Sequence, residues 1–63
     1  MLAVKHKELG EGYAICFCER ADKTYIVVDF GAEKKDFVYP DSFRDELEAK
    51  DPEIHKQILA EIE

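Results

Sequence analysis

The sequence is short of several residues on which enzymes depend. In 63 residues it has no tryptophan and one methionine, Ser42 is its only serine and Thr24 its only threonine. Catalysis needs a nucleophile with a positioned base, or two carboxylates in a cleft, and so short a chain leaves little volume for a substrate pocket. We therefore expect residues 1–63 to form one domain that is not an enzyme and binds no cofactor.

A long hydrophobic run is also missing. No apolar segment approaches the roughly 20 residues that a membrane-spanning helix needs. Residues 1–6 lack the apolar core of a secretory signal. We therefore expect no membrane partner and a cytoplasmic location.

Cysteine is scarce, since Cys16 and Cys18 are the only two. On a strand their Cα atoms would lie about 7 Å apart on one face, which is too far for an easy disulfide. A structural zinc site takes four Cys or His ligands, and the two histidines show no paired spacing. We predict two small core residues in a reducing compartment, and no metal site.

Positive charge is in short supply too, because nine Lys and Arg face fifteen Asp and Glu, for a net charge of −6. Residues 1–40 carry six basic and seven acidic side chains, whereas residues 41–63 carry three and eight. Each phosphate contact needs a cationic donor, so the acidic half disfavours autonomous binding of nucleic acid. The alternative, a small nucleic-acid-binding barrel, would use the local basic group of Lys5, Lys7, Lys34 and Lys35.

The first forty residues predict four strands separated by turns. Residues 3–7, 13–19, 24–30 and 35–39 form short segments, the middle two rich in β-branched and aromatic side chains. The polar residues 20–23 fit a hairpin loop, and Pro40 ends the fourth strand because it lacks a backbone donor. Strands this short and this closely spaced predict a strongly bent antiparallel sheet that closes into a small barrel.

The segment at residues 9–12 predicts a turn between the first two strands. Its two glycines permit a positive φ or a close approach of the backbone at a bend. His6 lies just before this bend. We predict that its imidazole makes a hydrogen bond that pins the turn.

The period of two assigns strand residues to two faces. On the second strand, the two sets are Tyr13, Ile15 and Phe17, and Ala14, Cys16 and Cys18. On the third strand, the two sets are Ile26, Val28 and Phe30, and Tyr25, Val27 and Asp29. One face fills the core. The other is a candidate protein-docking surface, since aromatic side chains give large contact area at low entropic cost; its candidates are Tyr13, Ile15, Phe17, Tyr25 and Val27.

After Pro40 the apolar spacing changes to that of helices. We predict one helix at residues 41–50, with Phe43 and Leu47 one turn apart, and another at 52–62 that is capped by Asp51. The second helix carries an apolar stripe on an acidic background: Ile54, Ile58 and Ile62. We expect this stripe to pack on the second sheet face, with a homodimer or another protein partner as the alternative.

Three segments resemble a known module. Residues 4–12 resemble the pattern Val-x-His-x-x-Phe-Gly-x-Gly, with Leu9 at the aromatic position, and residues 26–31 and 35–37 look like the strands that follow it. This pattern opens the Tudor-like, SH3-like barrel at the C-terminus of UvrD/PcrA-type helicases. The resemblance covers residues 4–39, and residues 39–43 begin a helical extension that the helicase module lacks.

The resemblance implies a small SH3-like (Tudor-like) antiparallel barrel at residues 1–40, followed here by two short α-helices at 41–63. In the helicases it implies docking to RNA polymerase with some contact to nucleic acid. We therefore expect a mostly β, non-enzymatic protein-interaction module of bacterial type, linked by resemblance to transcription or DNA-repair machinery.

Overall fold

The computed structural model of the protein describes residues 2–62. Its elements are β1 (Leu2–His6), β2 (Gly10–Arg20), β3 (Lys23–Asp29), β4 (Lys34–Val38), a 3₁₀ helix (Asp41–Arg44), β5 (Leu47–Ala49) and α1 (Pro52–Ala60). The strands form one antiparallel sheet in the order β4-β3-β2-β1-β5. This sheet curls into a half-barrel, so the mostly β fold with a C-terminal helix is confirmed.

The concave side of the sheet, called the core face here, packs against the 3₁₀ helix and α1. Ile26 and Val28 have no exposed area, and Phe30 packs against them half-buried, as the period of two predicted. Buried hydrophobic side chains from β1, β3, β4, β5 and both helices meet there, and Ala14 of β2 packs against them partly buried. The buried members are Val4, Ile26, Val28, Phe37, Phe43, Leu47, Ala49 and Ile58.

A two-residue turn joins β2 to β3. Ala21 and Asp22 both have positive φ, 52° and 66°, which is the backbone of the mirror-image turn that matches the twist of two antiparallel strands. The predicted hairpin at residues 20–23 is therefore confirmed, with Arg20 and Lys23 as the last paired residues.

The helix predicted at residues 41–50 is wrong. The 3₁₀ helix ends at Arg44, and the chain then extends as β5, which pairs with β1. Leu47 and Ala49 both face the core while Glu48 faces solvent, as a strand requires. The spacing of Phe43 and Leu47 fits a helix equally well, but β1 would then keep an unpaired edge, and this tertiary demand outweighs the local pattern.

The second predicted helix is confirmed as α1, although it ends at Ala60. Oδ1 of Asp51 accepts a hydrogen bond from the backbone N–H of Glu53 at 2.9 Å. Pro52 takes the first helical position, where its missing N–H costs nothing. Within residues 2–62, no helix has the length and apolarity that crossing a membrane requires.

The turn between β1 and β2 lies at residues 7–9 and not at the predicted 9–12, because Gly10 and Gly12 already pair with β1 as part of β2. His6 pins this turn, as predicted. Its Nδ1 accepts hydrogen bonds from the backbone N–H groups of Glu8 and Leu9, at 3.0 and 3.1 Å. The buried ring also packs against Phe30 and Phe37. Because Nδ1 is the acceptor, the neutral imidazole carries its proton on Nε2.

We expect His6→Phe to lower the free energy of unfolding by about 1–2 kcal/mol. The substitution keeps an aromatic ring in the core but removes the acceptor for two backbone donors. Urea denaturation measures the loss, and hydrogen exchange should quicken at the amides of Glu8 and Leu9. Equal exchange rates in the two proteins would contradict the hydrogen bonds.

Candidate functional site

The convex side of the sheet, called the outer face here, carries most of the predicted docking residues. In an antiparallel pair, opposite residues point to the same face. Tyr13 lies opposite Asp29, and Cys16 lies opposite Val27, so all four belong to the outer face. A β-bulge between Ala14 and Cys16 shifts the register by one residue and reverses the alternation beyond it.

The bulge corrects two predictions from the period of two. Cys16 and Cys18 lie on the outer face, exposed and half-exposed, instead of in the core. Phe17, opposite the buried Ile26, points to the side of the core face and not to that of Tyr13. Among residues 2–62, no three His, Cys, Asp or Glu side chains converge as a metal site requires.

Phe17 remains 57% exposed at the rim of the half-barrel. Its ring packs edge-on against Tyr39, with the ring centroids 4.9 Å apart. The Tyr39 hydroxyl donates a hydrogen bond to Oε2 of Glu61, 3.1 Å away, just beyond α1. Phe17 therefore belongs to the contact that ties β4 to the end of the helix.

We expect Tyr39 to ionise at a higher pH than an ordinary tyrosine, and we expect Glu61→Gln to lower the pH at which it ionises. Burial of the phenol, its hydrogen bond to Glu61 and that carboxylate's charge raise the pKa of Tyr39. A raised pKa in the folded state means that the contribution to stability is complete at neutral pH and is lost as the pH rises above about 10. Ultraviolet absorbance of the tyrosinate follows the titration.

The control for this titration is Tyr39→Phe, which should remove the late phase altogether. A Glu61→Gln titration that superimposes on that of the wild type would show that the phenol does not contact the carboxylate in solution.

Tyr25 is covered at the other end of the outer face. The Arg20 guanidinium lies over the Tyr25 ring, 4.3 Å from its centroid, and bonds Oδ2 of Asp36 at 2.6 Å. Since these residues come from β2, β3 and β4, Arg20 braces three neighbouring strands. The brace leaves the end of the sheet around Tyr13 as the open part of the face.

A groove of about 540 Å³ opens at this end; we call it the tyrosine groove. Its walls include Tyr13 and Ile15, which are 54% and 42% exposed. Ala3 on β1 continues the apolar floor. The remaining lining residues are Glu11, Gly12, Asp29, Phe30, Gly31 and Lys50.

Glycine at position 12 is required by the close approach of β2 to β3 in this groove. A Cβ there would lie 2.7 Å from the backbone oxygen of Asp29 and 2.8 Å from the Phe30 ring. At the end of β3, Oδ1 of Asp29 accepts a hydrogen bond from the backbone N–H of Gly31 at 2.8 Å. Gly31 has a φ of 94°, a backbone conformation that favours glycine. These contacts fix the groove wall before any ligand arrives.

An ion pair closes one side of the groove. Nζ of Lys50 lies 3.0 Å from Oε2 of Glu11. This hydrogen bond and the charge of Lys50 lower the pKa of Glu11, with a smaller contribution from the charge of Lys5. The carboxylate therefore stays ionised at neutral pH.

The isoleucine stripe packs elsewhere, and the expectation that it covers the outer face is wrong. Ile58 is 5% exposed and enters the core beside Phe43. Ile54 is 36% exposed and Ile62 half-buried. The short connection from β5 holds α1 against β5 and the 3₁₀ helix, so the helix leaves Tyr13 and Ile15 uncovered.

The lysines of the alternative nucleic-acid role do not form one patch. β1 and β4 are separated by β2 and β3 in the sheet. Lys5 lies between Glu11 and Glu48 on the neighbouring strands, so its charge faces two carboxylates. The lysines group in two pairs, Lys5 with Lys7 at β1 and Lys34 with Lys35 at β4.

Several lining residues were not among the sequence candidates. Asp29 was within reach of sequence reasoning, because an aspartate two residues before a glycine at the end of a strand is typical of a side-chain-capped turn. The pair of Glu11 and Lys50 joins β2 to the residue after β5. No local pattern predicts that contact.

The resemblance to the helicase module stays a prediction. Comparison with known proteins adds no relative, since the chain matches no protein-family model, no curated protein sequence and no solved structure.

Proposed function

We propose that this chain is a non-enzymatic protein-interaction module that docks its partner in the tyrosine groove. One observation carries the proposal: two large apolar side chains, Tyr13 and Ile15, stand exposed beside a groove of about 540 Å³. Aromatic side chains in partly enclosed sites are frequent anchors of protein interfaces.

The framework around the groove favours docking over a structural role. Gly12 brings β2 and β3 together, and Asp29 fixes the turn that follows. α1 completes the core on the opposite side, so the two apolar side chains are not needed to hold the fold. A rigid, already open groove loses little conformational entropy on binding.

The resemblance suggests the machinery to which the partner belongs. By analogy with the helicase module, the partner is a component of transcription or DNA repair, with RNA polymerase as the first candidate. Fold-level analogy alone supports this choice, whereas the groove supports docking itself.

We expect the double variant Tyr13→Ser with Ile15→Ser to bind its partner at least about tenfold more weakly than the wild type. Purified bacterial RNA polymerase and bacterial cell lysate are passed over immobilised protein. Proteins retained by the wild type and lost with the variant are the partners. Both side chains are exposed, so the variant should keep its melting temperature.

Leu9→Ser is the matched control, since Leu9 is 37% exposed on the turn between β1 and β2 and lies outside the groove lining. The control should retain the same proteins as the wild type. Retention that is equal on all three proteins would contradict docking in the groove, and absence of polymerase from the retained set would reject the partner taken from the resemblance.

A further inference from the structure

The tyrosine groove continues toward α1. A second depression, of about 450 Å³, is lined by Leu2, Ala3, Asp51 and Ile54. Ala3 lines both depressions, so an apolar track leads from Tyr13 on β2 to Ile54 at the start of α1. A track that joins two depressions fits an extended chain better than a compact ligand.

Two carboxylates stand along this track in fixed orientations. Oδ1 of Asp29 accepts from the N–H of Gly31, and Oδ1 of Asp51 accepts from the N–H of Glu53, at 2.8 and 2.9 Å. Within residues 2–62, no side-chain donor bonds either Oδ2, and Lys34, opposite Asp29 on β4, forms no ion pair with it. Each aspartate therefore presents one oriented oxygen to an incoming donor.

The one cation of the lining is already neutralised. Lys50 pairs with Glu11 at 3.0 Å, and the rest of the lining of the two depressions, within residues 2–62, is apolar, glycine or acidic. The lining of the two depressions, with three carboxylates and one ammonium group, thus has a formal charge of −2 within a chain of net charge −6. Such a charge attracts cations and repels acidic partners.

The charge decides between occupants. A second copy of this chain also carries −6, and nucleic acid is a polyanion, so both would be repelled from the two aspartates. We infer that the track binds an extended segment of a partner protein in which Lys or Arg residues alternate with apolar ones. Apolar side chains enter at Tyr13, Ile15 and Ile54, and the cations bond Asp29 and Asp51. This inference rests on the proposed docking function and names the chemistry of its partner.

The test selects peptides from a random display library against the whole chain. Peptides of about ten residues are long enough to lie along the whole track, since an extended chain rises about 3.3 Å per residue. Enriched sequences should combine Lys or Arg with apolar residues. Synthetic copies should bind Asp29→Asn with Asp51→Asn about tenfold more weakly than the wild type, and their affinity should fall with salt.

Asparagine keeps the side-chain oxygen that accepts from each backbone N–H, so the double variant should fold. Asp22→Asn, in the exposed hairpin turn outside the track, removes one carboxylate charge where the double variant removes two, and should change affinity less than about twofold.

Each outcome separates the two proposals. One outcome would be enriched acidic or uncharged peptides that bind the Asp29→Asn, Asp51→Asn double variant normally but do not bind Tyr13→Ser with Ile15→Ser. It would overturn the inference that the bound segment is basic and would leave docking in the groove intact. No enrichment, or peptides indifferent to the tyrosine variant, would overturn this inference, while the retention experiment with polymerase and lysate decides the docking function independently.

Discussion

Replacing Ile58 with aspartate is expected to unfold the protein. Ile58 is 5% exposed and packs in the core with Phe43 and Leu47, so the substitution removes buried apolar area and places a carboxylate among apolar side chains. The cost should reach about 4–5 kcal/mol or more. A chain of 63 residues has a total stability of roughly 3–9 kcal/mol, so the loss removes about half of that stability at the upper end of the range and all of it at the lower end. Circular dichroism at rising temperature measures the loss.

Ile54→Asp is the matched control, one helical turn earlier and 36% exposed. It should melt within a few degrees of the wild type. A folded Ile58→Asp variant with a smaller sedimentation coefficient than the wild type would place the isoleucine at an interface between two copies and contradict its role in the core.

Gly12→Ala is expected to cause the next largest loss in the free energy of unfolding. The added Cβ would lie 2.7 Å from the Asp29 oxygen and 3.0 Å from a methyl group of Val28. The oxygen belongs to the backbone of the neighbouring strand, so it cannot move aside without separating β2 from β3. We expect a loss of about 3 kcal/mol in the free energy of unfolding by urea denaturation.

Gly10→Ala separates this steric effect from backbone strain. Gly10 has a φ of 83°, but nothing lies within 4 Å of an added Cβ. Gly10→Ala should therefore lower the free energy of unfolding by only about 1–2 kcal/mol. Equal losses at the two glycines would show that β2 and β3 do not approach as closely as described.

Sequence reasoning located what local chemistry determines. The hairpin of β2 and β3 follows from two β-rich segments and a polar turn, and His6 lies close enough to its partners for its hydrogen bonds to be local in the chain. Asp51 and Pro52 likewise mark the start of α1 without any tertiary contact.

Long-range demands account for the errors. β5 has three residues and exists because β1 offers an edge, whereas Phe43 and Leu47 alone favour a helix. The bulge beside Ile15 bends β2 to match the curvature of the whole sheet. One extra residue there moves Cys16 outward and Phe17 inward, and no periodicity within β2 signals where the insertion falls.

The same bulge shapes the candidate site. It separates Tyr13 and Ile15, which line the groove, from Phe17, which contacts Tyr39. A regular alternation would place these three apolar side chains on one surface. The bulge divides them between two. The predicted surface of all three side chains therefore includes Phe17, which lies on the side of the core face, and omits Asp29, which lines the groove.

The pairing of β1 with β5 has a consequence for the order in which the chain can fold during synthesis. β1 leaves the ribosome early, yet one of its edges stays open until residues 47–49 follow. Phe43, Leu47, Ala49 and Ile58 supply half of the enclosed core, so the nascent hairpins have no complete interior to collapse on. The sheet therefore cannot complete its interior before the segment from Phe43 to Ile58 is made, and the open edge of β1 can pair with other chains until β5 covers it.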